Sequence, residues 1–494
     1  MACFTLAELL TDPDGHHLVA LQPCAQGPET VRYELRHFQV LVAALVYRLE
    51  SEPRFVAVRS VMLYSRDTYF FAAALCALAL LRKTIVLPQN AAPGTLREQG
   101  SCVELFIGDR EFCVNLSQEA VPFRVLPLQD VVAEPEQCYL ERLREKARSQ
   151  VTMESVEIVV FTSGSTGKPK AIHKQWGNFL AEVEVIESLW GKLPGETVIL
   201  SSVSHQHVYG LLFRCLWPLL SKRAFFSDQV LYPEALVTQA SVVKHAVFIA
   251  SPAFLSRVGA HLEGRELLLQ LKSKLKRVFS SGGPLAAQDN FAIQRLFAAP
   301  VTEVFGSSET GGVGYRQRDP QNPSLTWQSM PGVALKKDQK SGCLMVRSPF
   351  VVGCDWFLMG DQVTLLEQGG FALAGRADRI VKIEEKRVCL DEIESRLETH
   401  VLIAQARVLV LPGKRAIVAA VLVLSQNGEA VLAEHGKLAL TRQLRQDLAD
   451  YIEAVALPRK WRIVSALPVN AQGKVLHGTL AALFATSATG SECG

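Results

Sequence analysis

The chain has 494 residues, 49% of them hydrophobic and 20% charged, with a formal net charge of +3. That length leaves room for two or more domains, and the composition is that of a soluble globular protein. With no run of basic residues, the charge balance excludes a dedicated nucleic-acid binder. Eleven cysteines, an odd count, lack paired metal-ligand spacings and read as free, mostly buried thiols in a reducing cytosol.

Residues 1–14 carry Asp12 and Asp14 and lack a basic stretch followed by an apolar one, so they do not form a signal peptide. Residues 1–59 read as an edge strand pair followed by an amphipathic helix, in which Phe38, Leu41, Val42, Leu45 and Val46 recur at helical spacing. Residues 60–64 form a buried strand. Asp67 is placed to cap a helix over 69–81. That stretch, closed by Arg82 and Lys83, is too short to cross a bilayer and reads as a core helix, so no membrane span and a cytoplasmic location are expected. Residues 84–87 form the next strand, stopped at Pro88. Strand, helix and strand in this order make a βαβ unit, hence a doubly wound parallel sheet.

A charged helix over 135–148 leads to an apolar, β-branched strand over 157–162. Beyond it come a helix (176–189), then strands at 198–203, 246–251, 277–280 and 301–305. Residues 332–367 have the pattern of short antiparallel strands. Around Gly375-Arg376-Ala377-Asp378 the pattern changes to a small α+β unit: helix 391–399, strands 406–411 and 416–424, and a long helix 438–453. Residues 485–494, rich in Ser, Thr and Gly, are expected to be disordered. There is no internal repeat.

The strand at 157–162 empties into Thr162-Ser163-Gly164-Ser165-Thr166-Gly167-Lys168-Pro169-Lys170. Small hydroxyl residues and glycines let backbone N–H groups turn towards an anion, and the lysines add positive charge. A Walker A loop needs four residues between its glycines and a Ser or Thr after the lysine. Only Ser165 and Thr166 separate Gly164 from Gly167, and Pro169 follows Lys168, so that reading fails. A plain polar turn between two strands is the simpler alternative. The whole string resembles the phosphate loop of adenylate-forming ligases, the superfamily of acyl-CoA synthetases, non-ribosomal adenylation domains and luciferases.

That resemblance extends along nearly the whole chain. His207-Val208-Tyr209-Gly210 is similar to the segment beside the superfamily's acyl pocket, and His205 is a second candidate that the sequence does not separate from His207. Ser280-Ser281-Gly282-Gly283-Pro284 resembles the turn that meets adenine. Phe305-Gly306-Ser307-Ser308-Glu309-Thr310 resembles the motif whose hydroxyl meets the α-phosphate and whose glutamate meets Mg²⁺; taken alone, it also suits a helix N-terminus capped by Ser307 or Ser308. Gly360-Asp361 and Gly375-Arg376 resemble the ribose-binding pair, Asp378 falls on the hinge position, and Arg387 matches an arginine that meets the adenylate's phosphate. Pro468-Val469-Asn470-Ala471-Gln472-Gly473-Lys474 resembles the final motif, whose lysine approaches the reacting carboxylate and phosphate.

The resemblance implies a large N-terminal doubly wound α/β domain (1–377) and a small mobile C-terminal α+β domain (378–494), with the hinge near 378. It implies ATP-dependent activation of a carboxylic acid, with Lys474, Glu309 and His207 as the catalytic residues. Thr162 and Glu309 would face Mg²⁺. Thr162 to Lys168, Lys170, Gly282, Gly283, Pro284, Gly306, Ser308, Asp361, Arg376 and Arg387 would hold the nucleotide. The acceptor would be CoA or the phosphopantetheine thiol of an acyl carrier protein. The competing readings are a ligase that passes the adenylate to a non-thiol acceptor and a non-catalytic nucleotide- or acyl-binding protein. Residues 87–90 and 379–382 resemble stand-alone acyl- or aryl-acid ligases of polyketide and aryl-polyene pathways. The low-bulk run 310–314 is expected to leave room for an aryl ring or extended chain. One departure stands out: where the superfamily usually has Lys-x-x-Gly, this chain has Lys382-Ile383-Glu384-Glu385. A side chain there narrows the passage for the thiol, and two carboxylates oppose the phosphates of CoA.

Overall fold

The computed structural model describes residues 3–24, 29–117, 121, 123–130, 137–149, 153–163, 169–262, 267–321, 326–353, 355–367, 369–383, 386–411, 416–449, 452, 454, 456–469, 475 and 477–485. It divides into two compact units. The first is Met1–Ala334 with Val346–Phe357, and the second is Leu335–Met345 with Leu358–Gly494.

In the first unit the described strands form two sheets where the sequence suggests one. The six-stranded sheet runs, in space, Arg124–Pro127, Leu105–Gly108, Ser60–Tyr64, Thr84–Leu87, Glu157–Ser163 and Pro169–Gln175. Its first five strands are parallel, and the sixth returns antiparallel. The nine-stranded sheet has a parallel centre of Val301–Ser307, Leu275–Ser280, His245–Ala250, Thr197–Ser201, Ala224–Phe226 and Leu18–Pro23. Thr30–Glu34 pairs antiparallel at one edge, and Gly311–Gln317 with Gln328–Ser329 closes the other. Strongly twisted sheets rarely grow beyond about ten strands before they split.

The two sheets share one core. The helix Thr68–Leu80 is apolar on every side, and nearly all of its residues are buried, as a helix must be when protein surrounds it. With Leu35–Ser51 and Trp176–Trp190 it fills a core cluster to which both sheets contribute, through Val61 and Leu63 from one and Ile199, Val247 and Phe279 from the other. A short helix, Leu6–Thr11, closed by a Thr5–Glu8 capping box, had no sequence expectation.

The second unit holds most of a four-stranded sheet (Ala334–Lys337, Cys343–Arg347, Phe357–Leu365, Phe371–Arg376) and a two-stranded ribbon (Ile380–Ile383, Lys386–Cys389). Beyond them, Ile403–Leu411, Ile417–Leu424 and Lys460–Ile463 form a three-stranded sheet against which the helices Leu390–Glu398 and Gln426–Ala449 pack. The expected long helix begins just beyond Gly436, whose φ of 75° breaks it from a preceding helical stretch that starts at Gln426, and it is described as far as Ala449. Residues 358–377 group with those beyond 378. Asp391 ties that junction: it accepts the Arg376 backbone N–H at 3.0 Å and pairs with Arg379. The segment expected to be disordered lies outside the described residues from 486 onward. No helix among the described residues is long and apolar enough to cross a membrane. Cysteines 3, 24, 76, 102, 113, 215 and 343 are free, and four of these are buried.

The Asp67 cap is formed. Its Oδ1 accepts the N–H groups of Tyr69 (2.7 Å) and Phe70 (3.1 Å), and Oδ2 accepts Gln22 Nε2 at 2.9 Å. Burial pushes this carboxyl up to about 6. Asp67→Ala should lower the urea stability of the first unit by about 1–2 kcal/mol, and Asp67→Asn by less than half of that. Because the folded-state pKa lies above the unfolded one, the wild type loses stability as pH rises from about 4 to 6. The gap between wild type and Asp67→Asn should therefore narrow between melts at pH 5 and pH 7.5.

Candidate active site

The phosphate-loop strand Glu157–Ser163 and its return strand Pro169–Gln175 are in register, with Thr162 opposite Lys170 and Ser163 opposite Pro169. The loop therefore joins a hairpin, at the carboxyl end of a parallel strand where open α/β sheets take ligands. Gly164, Ser165, Thr166, Gly167 and Lys168 themselves lie outside the described residues. The strand period of two puts Lys170 and Lys174 on the same face. Lys170 Nζ lies 3.3 Å from Glu309 Oε1. Lys174 Nζ donates to the Glu309 carbonyl at 3.2 Å and to the Phe350 carbonyl at 2.6 Å.

Glu309 sits on a turn between the antiparallel strands Val301–Ser307 and Gly311–Gln317, not at the helix N-terminus that the Ser-Ser-Glu composition also suited. Ser307 and Thr310 close the turn reciprocally: Ser307 N–H donates to Thr310 Oγ1 at 3.0 Å, and Thr310 N–H donates to Ser307 Oγ at 3.2 Å. Ser308 takes no part in that exchange and stays half-buried beside Glu309. Gly306 is required by close approach, because a Cβ there would lie 2.0 Å from the Gly311 carbonyl oxygen.

On the far side of the turn, the buried Glu182 accepts the Gly312 N–H at 2.6 Å. Burial pushes its carboxyl up to about 7. Burial also draws the Lys174 ammonium below its ordinary value, against the opposing charges of Glu182 and Glu309. At two positions of the glycine run the space is taken: a Cβ at Gly311 would meet Glu182 Oε2 at 2.4 Å, and one at Gly312 would meet Met330 Sδ at 2.6 Å. Those two glycines make way for the protein's own side chains.

The described residues contain no cluster of three or more His, Cys, Asp or Glu that would hold a resident metal. Glu309 offers a single carboxylate, about a quarter exposed. One carboxylate suits Mg²⁺, which keeps most of its waters and arrives on the phosphates of its nucleotide. The donor set therefore fits such an ion, with Glu309 as the carboxylate that would meet it.

At the adenine candidate, Ser281 Oγ donates to the Val304 carbonyl at 2.8 Å and ties the turn to the neighbouring strand. Gly282, at φ +88°, has open space where a Cβ would stand, and at Gly283 a Cβ would meet only Pro252 at 3.9 Å. Bare backbone is presented there, followed by Pro284.

Of the two histidines, His205 is structural. It is buried, with Nε2 donating to the Ser65 carbonyl at 2.8 Å and Nδ1 accepting from Thr68 Oγ1 at 3.1 Å. Burial holds it neutral, well below the usual histidine range. His207 remains half-buried, at the start of the helical segment Val208–Gly210. Gly210 packs against the loop so closely that a Cβ would lie 2.0 Å from the Ser204 carbonyl oxygen.

In the second unit, Asp361 and Arg376 face each other across paired strands, with Arg376 Nη1 3.5 Å from Asp361 Oδ2. A Cβ at Gly360 would meet Arg376 Nη2 at 2.9 Å, so that glycine admits the guanidinium. The backbone of Asp378 lies in the single turn Ala377–Arg379, and that of Arg387 in the strand Lys386–Cys389. Lys474 lies outside the described residues, as do Glu384 and Glu385. Val469 and Val475 form an antiparallel bridge that brackets the lysine's segment.

Lys174 and Glu182 had no sequence assignment. The available signal was charge in an apolar setting: Glu182 shares the buried face of the helix Trp176–Trp190 with Phe179, Val183 and Ile186.

Residues 76–352 match the AMP-binding enzyme family and residues 392–474 its C-terminal domain. The chain belongs to the AMP-binding enzymes. Among curated proteins it is 27% identical to a 4-coumarate–CoA ligase of Cereibacter sphaeroides, over 64% of this chain and 69% of that one. It is 23% identical to an acetyl-coenzyme A synthetase of Pasteurella multocida, over 65% and 55% of the two chains. Its fold matches a benzoate CoA ligase from Burkholderia xenovorans with TM-score 0.76 at 16% identity, covering 97% of this chain and all of the other. An O-succinylbenzoate coenzyme A synthetase from Bacillus subtilis, in complex with ATP and magnesium ion, superposes with TM-score 0.75 at 16% identity, covering 96% and 98%.

Replacing His205 by Ala strips partners from Ser65 and Thr68, and should lower stability by about 2–4 kcal/mol in thermal or urea melts. His207→Ala should cost less than about 1 kcal/mol and change acid turnover instead. Equal stability losses would place both histidines in the scaffold.

Proposed function

We propose that the chain is an AMP-forming acid–thiol ligase. The observation that carries this reading is Glu309, held at its carboxylate by Lys170 and at its carbonyl by Lys174, beside the hairpin of the phosphate loop. A carboxylate oxygen of the acid attacks the α-phosphorus of ATP. The bond from that phosphorus to the bridging oxygen breaks, and pyrophosphate leaves. A thiolate then attacks the acyl carbon and AMP departs. Bound with the nucleotide, Mg²⁺ supplies neutralisation of phosphate charge, and Glu309 with Thr162 would face it.

The backbone of Gly164 to Lys168 and the cations Lys168, Lys170 and Arg387 attract the phosphates. Ser308 donates to the α-phosphate, Asp361 accepts from the ribose diol, and Arg376 orients Asp361. Gly282, Gly283, Pro284 and Gly306 present backbone to the base and the phosphates. Lys474 bridges the acid's carboxylate and the phosphate as charge develops. Asp378 is the hinge on which 378–494 exchanges the two half-reactions. Support for a CoA-type thiol comes from the relatives' names, and the acid belongs to the fatty, hydroxy or aryl class. A cytoplasmic setting, where CoA and carrier proteins are found, suits the free thiols.

Lys474→Ala should abolish acid-dependent ATP–pyrophosphate exchange yet spare thioester formation from a supplied acyl-adenylate. Equal loss of both would contradict the bridging role. Glu309→Ala should lower exchange on the order of 100-fold.

Glu385, in place of a glycine, favours a carrier-protein thiol over free CoA. Glu385→Gly should raise the pre-steady-state rate of acyl-CoA formation while pyrophosphate release is unchanged. Fast wild-type transfer to CoA that ignores this substitution would remove the preference.

A further inference from the structure

Lys174 is 2% exposed, a position lysine almost never takes without partners. Its ammonium donates to two main-chain carbonyls, Glu309 O and Phe350 O, and lies 5.8 Å from the centre of the Phe179 ring. The adjoining backbone is tied as well, because Asn178 Nδ2 donates to the Pro349 carbonyl at 2.7 Å. Three pieces of the first unit thus meet at one buried cation: the return strand of the phosphate loop, the turn bearing Glu309, and residues 349–350.

Glu182 completes the arrangement. From the opposite side of the turn, its Oε1 accepts the Gly312 N–H at 2.6 Å. The turn is therefore held at both ends by side chains of opposite sign, a donor at the Glu309 carbonyl and an acceptor at the Gly312 N–H. The lack of a Cβ at Gly311 lets Glu182 come this close, since one would lie 2.4 Å from its Oε2.

Buried charged side chains are weak evidence for stability, since well-packed neutral residues often replace them without loss. What their hydrogen bonds to the turn can supply is one fixed geometry. We propose that Lys174, acting with the buried Glu182 at the other end of the turn, is a positioning residue that fixes the Glu309 turn for the metal–nucleotide complex. The proposal rests on the reading of Glu309 as the metal-facing carboxylate. Lys170, on the same strand face, reaches the Glu309 carboxylate at 3.3 Å.

The test uses Mn²⁺ as the probe ion and the full chain with ATP. Electron paramagnetic resonance would measure Mn²⁺ affinity for the enzyme–ATP complex, and calorimetry in EDTA would measure ATP affinity without a divalent ion. Lys174→Met should weaken Mn²⁺ about tenfold, the usual scale for groups that orient a metal ligand, with metal-free ATP affinity within twofold of wild type. The double variant Lys174→Met/Glu182→Gln removes both buried charges, keeps an acceptor for Gly312, and should fold with near wild-type thermal stability while showing the same Mn²⁺ defect. Wild-type Mn²⁺ affinity in the double variant would overturn the proposal, as would a parallel tenfold loss of metal-free ATP affinity. Glu309→Gln separates the two readings. If it binds Mn²⁺ normally, the metal assignment and this proposal fall together. If it loses Mn²⁺ while the double variant does not, only the role of Lys174 falls.

Discussion

A lysine ammonium taken out of water costs several kcal/mol unless its donors are met, and Lys174 meets that cost against the main-chain carbonyls of Glu309 and Phe350. This constraint organises the candidate site. The return strand of the phosphate hairpin puts Lys170 and Lys174 on one face, so a single rigid element touches the Glu309 side chain and its backbone together. Residues built on strands hold geometry better than residues on loops. Glu309 is on a turn, but one cinched by Ser307 and Thr310 and gripped from two other elements.

Close packing elsewhere serves the same end. Gly306, Gly210 and Gly360 each lie where a Cβ would collide with a carbonyl or a guanidinium. Their role is to let neighbouring segments approach. His205 fixes the loop before His207 by spending both ring nitrogens on Ser65 and Thr68. A neutral, saturated histidine is a strut, and it leaves His207 as the candidate for contact with the acid.

Much of this was legible in the chain. The helix Thr68–Leu80 and its Asp67 cap follow from a polar residue ahead of a uniformly apolar run, and the parallel pairing of Ser60–Tyr64 with Thr84–Leu87 follows from the βαβ order. The resemblance named Asp361 and Arg376 together, and strand register sets them opposite each other. What was not legible depends on long-range packing. Two sheets sharing one core leave no local signal, and neither do the partners that consume His205. Ser307-Ser308-Glu309 has the composition of a helix cap, yet Gly311 and Gly312 favour a hairpin whose turn Glu182 occupies. The same glycines suggested space for substrate because the sequence does not reveal that Glu182 and Met330 fill it.

The central claim is that this arrangement activates an acid on ATP. Acid-dependent exchange of labelled pyrophosphate into ATP by the wild-type chain, across fatty, hydroxy, benzoic and cinnamic acids, tests it most directly. The account predicts Mg²⁺-dependent exchange with at least one of these acids and none without acid. Tight ATP binding with no exchange for any of them would contradict it and leave a nucleotide-binding protein.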